Sequence, residues 1–412
     1  MSSYSSADYR VRHTSTIPAN RNEQVELFVR EYNGTRGHQE PKPVLMLHGR
    51  SSPVVTGFDL VLPPSAGGSD IRYSWAQELA HHGYDVFLMD LQGNGRSPRP
   101  RMDDPCNANP AQQQPVLVPN PLAQPCPPSP PYPHQLGNSE SEWAELDTVV
   151  NFIRGLPERN KPIDFIGWSA GAFVLGPYTL KHPGNVRTLT LLAPIFPPKG
   201  RWSTVPSDPF GRPPEAQTLP VSTPAVTFGF PMNVGSKTGF TTGWDGEQSG
   251  PEQREPGMVD AVWDALMAED PEGAKWGRWL PDGTPEGVLR YRNSYWWGWN
   301  KQTVPLKDAA GRLILGDRVP VLIIYGEQDK QANTSSSLPD VLYFSVPALY
   351  QAIQGNEKLM FRFAAAGHSM VWERRAQALH DLSSQWLDDG KVHGLTTGSY
   401  FRDVDGDITP LE

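Results

Sequence analysis

Residues 163–180 read IDFIGWSAGAFVLGPYTL, and at their centre stands Gly167-Trp168-Ser169-Ala170-Gly171. The apolar run IDFIG predicts a strand and AGAFVLGPYTL a helix, so Ser169 falls on a tight turn between the two. Small flanking glycines let the backbone crowd together there, and the turn pushes the serine hydroxyl out at the carboxyl end of the strand. Ligands of open α/β sheets bind outside the carboxyl ends of strands. Five residues of this form are common by chance; a strand before and a helix after them make the pattern specific. Ser169 is therefore a candidate nucleophile.

Outward from this turn the same rhythm repeats. Residues 24–32, QVELFVREY, alternate and predict a half-exposed strand, followed by a turn over 34–37. Short continuous apolar runs at 44–47, 86–89, 163–166, 189–192 and 321–325 predict strands buried on both faces of a parallel sheet. Apolar residues at three-to-four spacing predict helices over 75–82, 141–154, 172–181 and 371–387. Ser139 with Glu142 three residues on predicts a capping box at the second of these. Strand and helix in alternation imply right-handed crossovers and a helix-flanked, mostly parallel sheet: the fold class is α/β.

Two stretches break the rhythm. Residues 98–133 hold 13 of the 43 prolines and both cysteines. So much fixed φ and so few amide donors exclude regular helix or interior strand, leaving an ordered surface loop or a mobile flap. Residues 195–319 hold eight of the 13 tryptophans, among them Trp296, Trp297 and Trp299, and predict an inserted cap. Most of these aromatics are expected to form the cap's own small core, with a few facing a ligand. The expected organisation is a core over 1–194, the cap over 195–319, the rest of the core over 320–390 and a tail over 391–412.

Composition removes several function classes. No run approaches the roughly 18 apolar residues that a membrane span needs. Lys and Arg total 36 against 45 Asp and Glu, and the net charge of -9 offers no basic stripe for nucleic acid. The first twenty residues lack the apolar segment of a secretory signal, although a trimmed chain would look the same, so the compartment stays open. The expected partner is a small molecule; oligomeric state is not legible.

A serine hydroxyl is a weak nucleophile that needs a base, and the base needs an orienting acid. Asp329 follows the strand VLIIYG in the loop just past its end, with Glu327 two residues earlier as the alternative acid. His368 lies in Gly367-His368-Ser369, after the predicted strand LMFRFAA. His48 competes as base, but its position suggests support of the loop after an early strand; His81 and His82 read as a surface helix end. A tetrahedral intermediate also needs amide donors for its oxyanion. Ala170 supplies one at a helix N-terminus, and Arg50, after His48-Gly49, is assigned the second, with Ser51 as fallback. The Arg50 side chain either holds a substrate carboxylate or pairs with a surface acid; the surface pair is the expectation.

These motifs together resemble the α/β-hydrolase superfamily: HG after the first buried strand, Asp90-Leu91-Gln92-Gly93-Asn94-Gly95-Arg96-Ser97 after the next, then GWSAG, YGEQD and GHS. The resemblance covers residues 24–195 and 319–390. It implies Ser169, Asp329 and His368 as a catalytic triad, where local spacing places each only at a suitable strand end. Relatives that attack carbon directly, the epoxide hydrolases and haloalkane dehalogenases, carry aspartate at the elbow, so Ser169 points to acyl chemistry. The expected function is a serine esterase of carboxylesterase type, acting on a bulky, hydrophobic or aromatic ester. Amidase, lactonase, a lyase using the same triad and a vestigial binding protein are the alternatives.

Substrate selection is expected to fall to the cap. Trp168, Trp296 and Trp297 are the candidate substrate-binding residues, and Phe228-Gly229-Phe230 shows a similar alternation of glycine with aromatics. Cys106 and Cys126 enclose nineteen residues of the proline-rich segment and read as a disulfide, which points to an oxidising compartment. No metal or cofactor is expected. Asp403-Val404-Asp405-Gly406-Asp407 does not match an EF-hand loop and reads as a solvated turn.

Overall fold

In a computed structural model, which describes residues 4–36, 39–62, 70–127, 130–216 and 230–411, all five apolar runs become strands of one sheet. Its strands are β1 (Ser5–Thr14), β2 (Gln24–Asn33), β3 (Pro43–Leu47), β4 (Asp85–Met89), β5 (Ile163–Trp168), β6 (Val186–Leu192), β7 (Val321–Gly326), β8 (Lys358–Phe363), β9 (Gly398–Arg402) and β10 (Ile408–Pro410). They lie in the order β1-β2-β4-β3-β5-β6-β7-β8-β9-β10. Pairings from β4 through β9 are parallel, and those at both edges are antiparallel. The order reverses between β3 and β5, which makes their carboxyl ends the switch point at which such sheets bind ligands.

Alternation along each strand sends neighbours to opposite faces. Leu45 and Leu47 of β3 join the core beneath helices α2 (Ser139–Gly155) and α3 (Ala172–Lys181), whereas Val44 and Met46 join that beneath α1 (Trp75–His81) and α6 (Ala376–Asp389). Two further helices, α4 (Lys237–Asp245) and α5 (Met258–Ala268), belong to the insertion, together with the strand pair Met232–Gly235 and Leu289–Arg292.

Several local expectations change. The cap of α2 is Asn138 with Ser141, whose side chains each accept the other's backbone N–H at 3.0 Å. Ser139 and Glu142 are spent on the insertion instead: Ser139 Oγ accepts the Trp297 N–H at 2.8 Å, and Glu142 accepts the Trp296 indole N–H at 2.8 Å while pairing with Arg292. The helix expected over 371–387 is broken into a turn at Met370–Trp372 and α6, because Glu373 between them turns inward to buried donors. The tail returns to the sheet: β9 pairs with β8, stacking Tyr400 on Phe361, and β10 closes a hairpin. Its turn is held by Asp403 Oδ1, which accepts the N–H groups of Asp405, Gly406 and Asp407, each at 2.9 Å. Gly37, the last residue of the expected turn over 34–37, lies outside the described residues, as do Phe228 and Gly229.

Among the described residues of the proline-rich segment the expected exclusion of helix is corrected, because residues 110–117 form a short helical run. Pro105 and Pro110 sit at the starts of short helical turns, where a missing N–H costs nothing, and Cys106 is bonded to Cys126. Met102, Ala108 and Leu117 share a small core with Met232, Val234, Trp276 and Val288 of the insertion. The tryptophans correct the idea of a self-contained cap core. Trp297 meets Trp143 of α2, the Trp299 ring crowds Gly176 of α3, where a Cβ would fall 2.5 Å from it, and Trp244 meets Trp372, so they fasten the insertion to the sheet domain.

Candidate active site

Ser169 follows β5 at φ +56°, a left-handed conformation that non-glycine residues adopt at a cost when the surroundings impose it. Close approach explains its glycines. A Cβ on Gly167 would fall 2.6 Å from Leu175 Cδ1, and one on Gly171 3.0 Å from the carbonyl oxygens of Leu47 and His48. Because β3 and β5 pair with Leu47 opposite Gly167, the loop after β3 arrives beside the serine.

Asp329 lies in the loop after β7 and His368 in the loop after β8, and those strands end in register at Gly326 and Phe363. His368 Nε2 lies 2.8 Å from Ser169 Oγ, and Nδ1 lies 3.0 Å from both carboxylate oxygens of Asp329. The carboxylate only accepts, so Nδ1 carries the proton and Nε2 turns its lone pair to the hydroxyl. Asp329 Oδ1 also accepts the N–H groups of Gln331 at 3.0 Å and Ala332 at 2.8 Å. Glu327 turns away to Arg362 at 2.8 Å. All three members of the row are buried. Burial alone would lower the imidazole pKa, but Asp329, by charge and hydrogen bond, and Glu247 and Glu373 by charge hold it above the ordinary 6.5.

Those two glutamates escaped the sequence reading. Glu247, just past α4, accepts the His368 N–H at 2.9 Å and the Lys330 N–H at 3.1 Å, bridging the loops of Asp329 and His368 from the insertion. Glu373 accepts the Gly367 N–H at 2.8 Å, the Trp244 indole N–H at 2.9 Å and the Gln253 amide at 3.0 Å. Burial pushes both up, Glu373 to about 7. A charged residue after the apolar Met370-Val371-Trp372 was a signal for Glu373; nothing local marked Glu247.

His48 is held neutral. Its Nε2 accepts the Leu91 N–H at 3.2 Å, leaving Nδ1 to donate to the Gly49 carbonyl at 2.6 Å, and burial lowers its pKa to about 3. Turning the Gly49 carbonyl toward the imidazole turns the Arg50 N–H the opposite way across the trans peptide. Gly49 abuts the nucleophile candidate: a Cβ there would fall 3.1 Å from Ser169 Cβ. The Ala170 N–H lies in the first helical turn after β5, where amides lack intrahelical acceptors. Asp90 secures the neighbouring loop by accepting the Val54 N–H at 2.8 Å and the Arg96 N–H at 3.0 Å.

Above this row opens a cavity of about 710 Å³, within the range of small-molecule sites. Aromatic side chains, among them Trp168, Phe173, Phe240, Trp244, Trp296 and Trp372, share its walls with aliphatic ones such as Ile195, Leu266 and Leu289. Trp168 has a second task, since its indole N–H donates to the His368 carbonyl at 3.0 Å. Trp296 lies flat on Phe173 with ring centroids 4.7 Å apart. Trp297 does not reach the cavity; buried against Trp143, it donates its indole N–H to the Phe210 carbonyl at 3.0 Å. The expected surface pairing of Arg50 is also corrected. Its guanidinium lies 5.2 Å over the Tyr291 ring at the cavity wall, and no ion pair among the described residues includes it. Among the described residues no cluster of three or more His, Cys, Asp or Glu could hold a metal, and no helix is long and apolar enough to cross a membrane.

A family model described as alpha/beta hydrolase fold matches residues 42–374. A search of the curated proteins found no match. Among solved structures, the chain is similar to a serine hydrolase from the polyaromatic hydrocarbon-degrading bacterium Cycloclasticus zankles, at 14% identity, covering 93% of this chain and 98% of that one with a TM-score of 0.47. It is similar to 2-hydroxy-6-oxo-6-phenylhexa-2,4-dienoate hydrolase from Rhodococcus sp. strain RHA1 at 14% identity, with 92% and 99% covered and a TM-score of 0.44. For a thermophilic esterase from Thermogutta terrifontis the values are 16% identity, 92% and 97% covered, and a TM-score of 0.44.

Proposed function

Since the chain belongs to the alpha/beta hydrolase fold family, we propose that it is a serine hydrolase that cleaves a carboxylic ester through an acyl-enzyme on Ser169. One observation carries the reading: the 2.8 Å contact of His368 Nε2 with Ser169 Oγ, with Asp329 on the far side of the imidazole. As Oγ attacks the carbonyl carbon, Nε2 takes its proton, and Asp329 stabilises the imidazolium. The oxyanion accepts the N–H groups of Ala170 and Arg50. Collapse expels the alcohol, which receives the proton from Nε2. Water then repeats the attack on the acyl-enzyme, again through His368, and releases the carboxylic acid with Ser169 restored. The aromatic and aliphatic side chains of the walls suit a bulky apolar or aromatic ester.

Hydrolysis of p-nitrophenyl esters graded in acyl size, followed on the millisecond scale, tests this. The expected results are a p-nitrophenol burst, labelling of the Ser169 peptide by a fluorophosphonate, and a loss of about four orders of magnitude or more in kcat for Ser169→Ala. Activity retained by folded Ser169→Ala would overturn the proposal.

A further inference from the structure

The cavity and the chain differ in charge. The sequence has 45 acidic and 36 basic residues, yet the described residues of the cavity wall include Arg50, Arg201 and Lys330 and no aspartate or glutamate. Cations gathered in a cleft with low-dielectric walls focus the field and concentrate anions there. Lys330 offers its ammonium to the Gly246 carbonyl at 2.7 Å, and the Arg201 guanidinium lies 4.2 Å over the Tyr295 ring.

Arg50 is the member beside the reacting atoms, because it follows the glycine that abuts Ser169. Its Nε is sealed from the cavity and has no acceptor among the described residues, so a ligand can meet this guanidinium only through its outer nitrogens at the cavity wall. With its central carbon 5.2 Å over the Tyr291 ring, the guanidinium offers its N–H groups as a planar fork. The matching acceptor is a carboxylate, which takes such a fork through two parallel hydrogen bonds.

We propose that the substrate carries a free carboxylate in addition to the ester, and that Arg50 binds it while Arg201 and Lys330 add to the attracting field. The substrate class is thus a hydrophobic ester with an anionic end. This rests on the serine hydrolase reading of the same site and narrows it.

Two esters of similar length test the proposal: p-nitrophenyl hydrogen glutarate, which ends in a carboxylate, and p-nitrophenyl hexanoate, which ends in a methyl group. At low ionic strength kcat/KM for the glutarate is expected to exceed that for the hexanoate by about tenfold or more, and added salt narrows the gap. Arg50→Met is expected to collapse this ratio, with Lys330→Met and Arg201→Met reducing it less. A second arm needs no turnover: 3-phenylpropionate and 3-phenylpropionamide are titrated into the unaltered protein, and the carboxylate is expected to bind more tightly by a similar factor. Equal binding of acid and amide, or a wild-type kinetic ratio that survives in Arg50→Met, overturns the proposal. Selective carboxylate binding without hydrolysis of either ester would instead sink the esterase reading and leave the anion site standing.

Discussion

His368 must be neutral at Nε2 to accept the serine proton, and its neighbours oppose that state. Because Asp329, Glu247 and Glu373 together outweigh burial, the imidazole keeps a proton at pH values where a free one has lost it. Activity needs the unprotonated form, so kcat/KM should rise with pH through a limb centred above 6.5. A pH–rate profile of the free enzyme reads this directly, and a limb at or below 6.5 would contradict it. The two acids of the same turn separate just as clearly. Asp329→Asn offers an amide nitrogen to Nδ1 and disfavours the working tautomer; kcat should fall by about 10⁴ with the melting temperature little changed. Glu327→Gln loses only a contact with Arg362 and should leave kcat/KM within about twofold. The sequence favoured Asp329 with Glu327 as the alternative; the side chains then part, Asp329 toward the imidazole and Glu327 toward Arg362.

At the scale of elements, the insertion is tied into the chemistry as well as into the cavity. Glu247 lies just past α4 and accepts backbone N–H groups from both the Asp329 and His368 loops. Glu247→Gln puts an amide nitrogen against one of those donors, and kcat should fall about tenfold with a smaller change in KM. The tryptophan pair divides by what each indole touches. Trp297→Ala empties a buried site against Trp143 and should cost about 3–5 kcal/mol in urea unfolding. Trp296→Ala removes part of the cavity wall and should raise KM for bulky esters more than for acetates. Composition predicted an aromatic-rich insertion, but adjacent indoles in one chain can face different neighbours, and no local pattern shows which. The edge strands β1, β9 and β10 were missed for a related reason: their residues are mostly polar or half-exposed, and partners across the sheet supply the apolar cover.

Across the whole molecule, the disulfide closes the segment that shares a core with the insertion. Cys106–Cys126 restricts the unfolded chain over nineteen enclosed residues, worth about 3 kcal/mol in the chain-entropy model. Replacing both cysteines by serine should lower unfolding stability by about that amount, and the loss should show first as faster proteolysis between 98 and 133. An unchanged unfolding midpoint would mean that the small core around Met102, Leu117 and Trp276 suffices to hold the segment.

The amino-acid sequence alone determined the alternation of strand and helix, the serine turn, and the loops that carry Asp329 and His368. Each of these is written within a few consecutive residues, where hydrophobic period or glycine spacing acts locally. Only the tertiary structure decided that Glu247 clasps the loops, that Trp297 leaves the cavity wall and that Arg50 faces the cavity with no acidic partner among the described residues. Those outcomes depend on distances between segments remote in the chain, which are set when the sheet and insertion pack together.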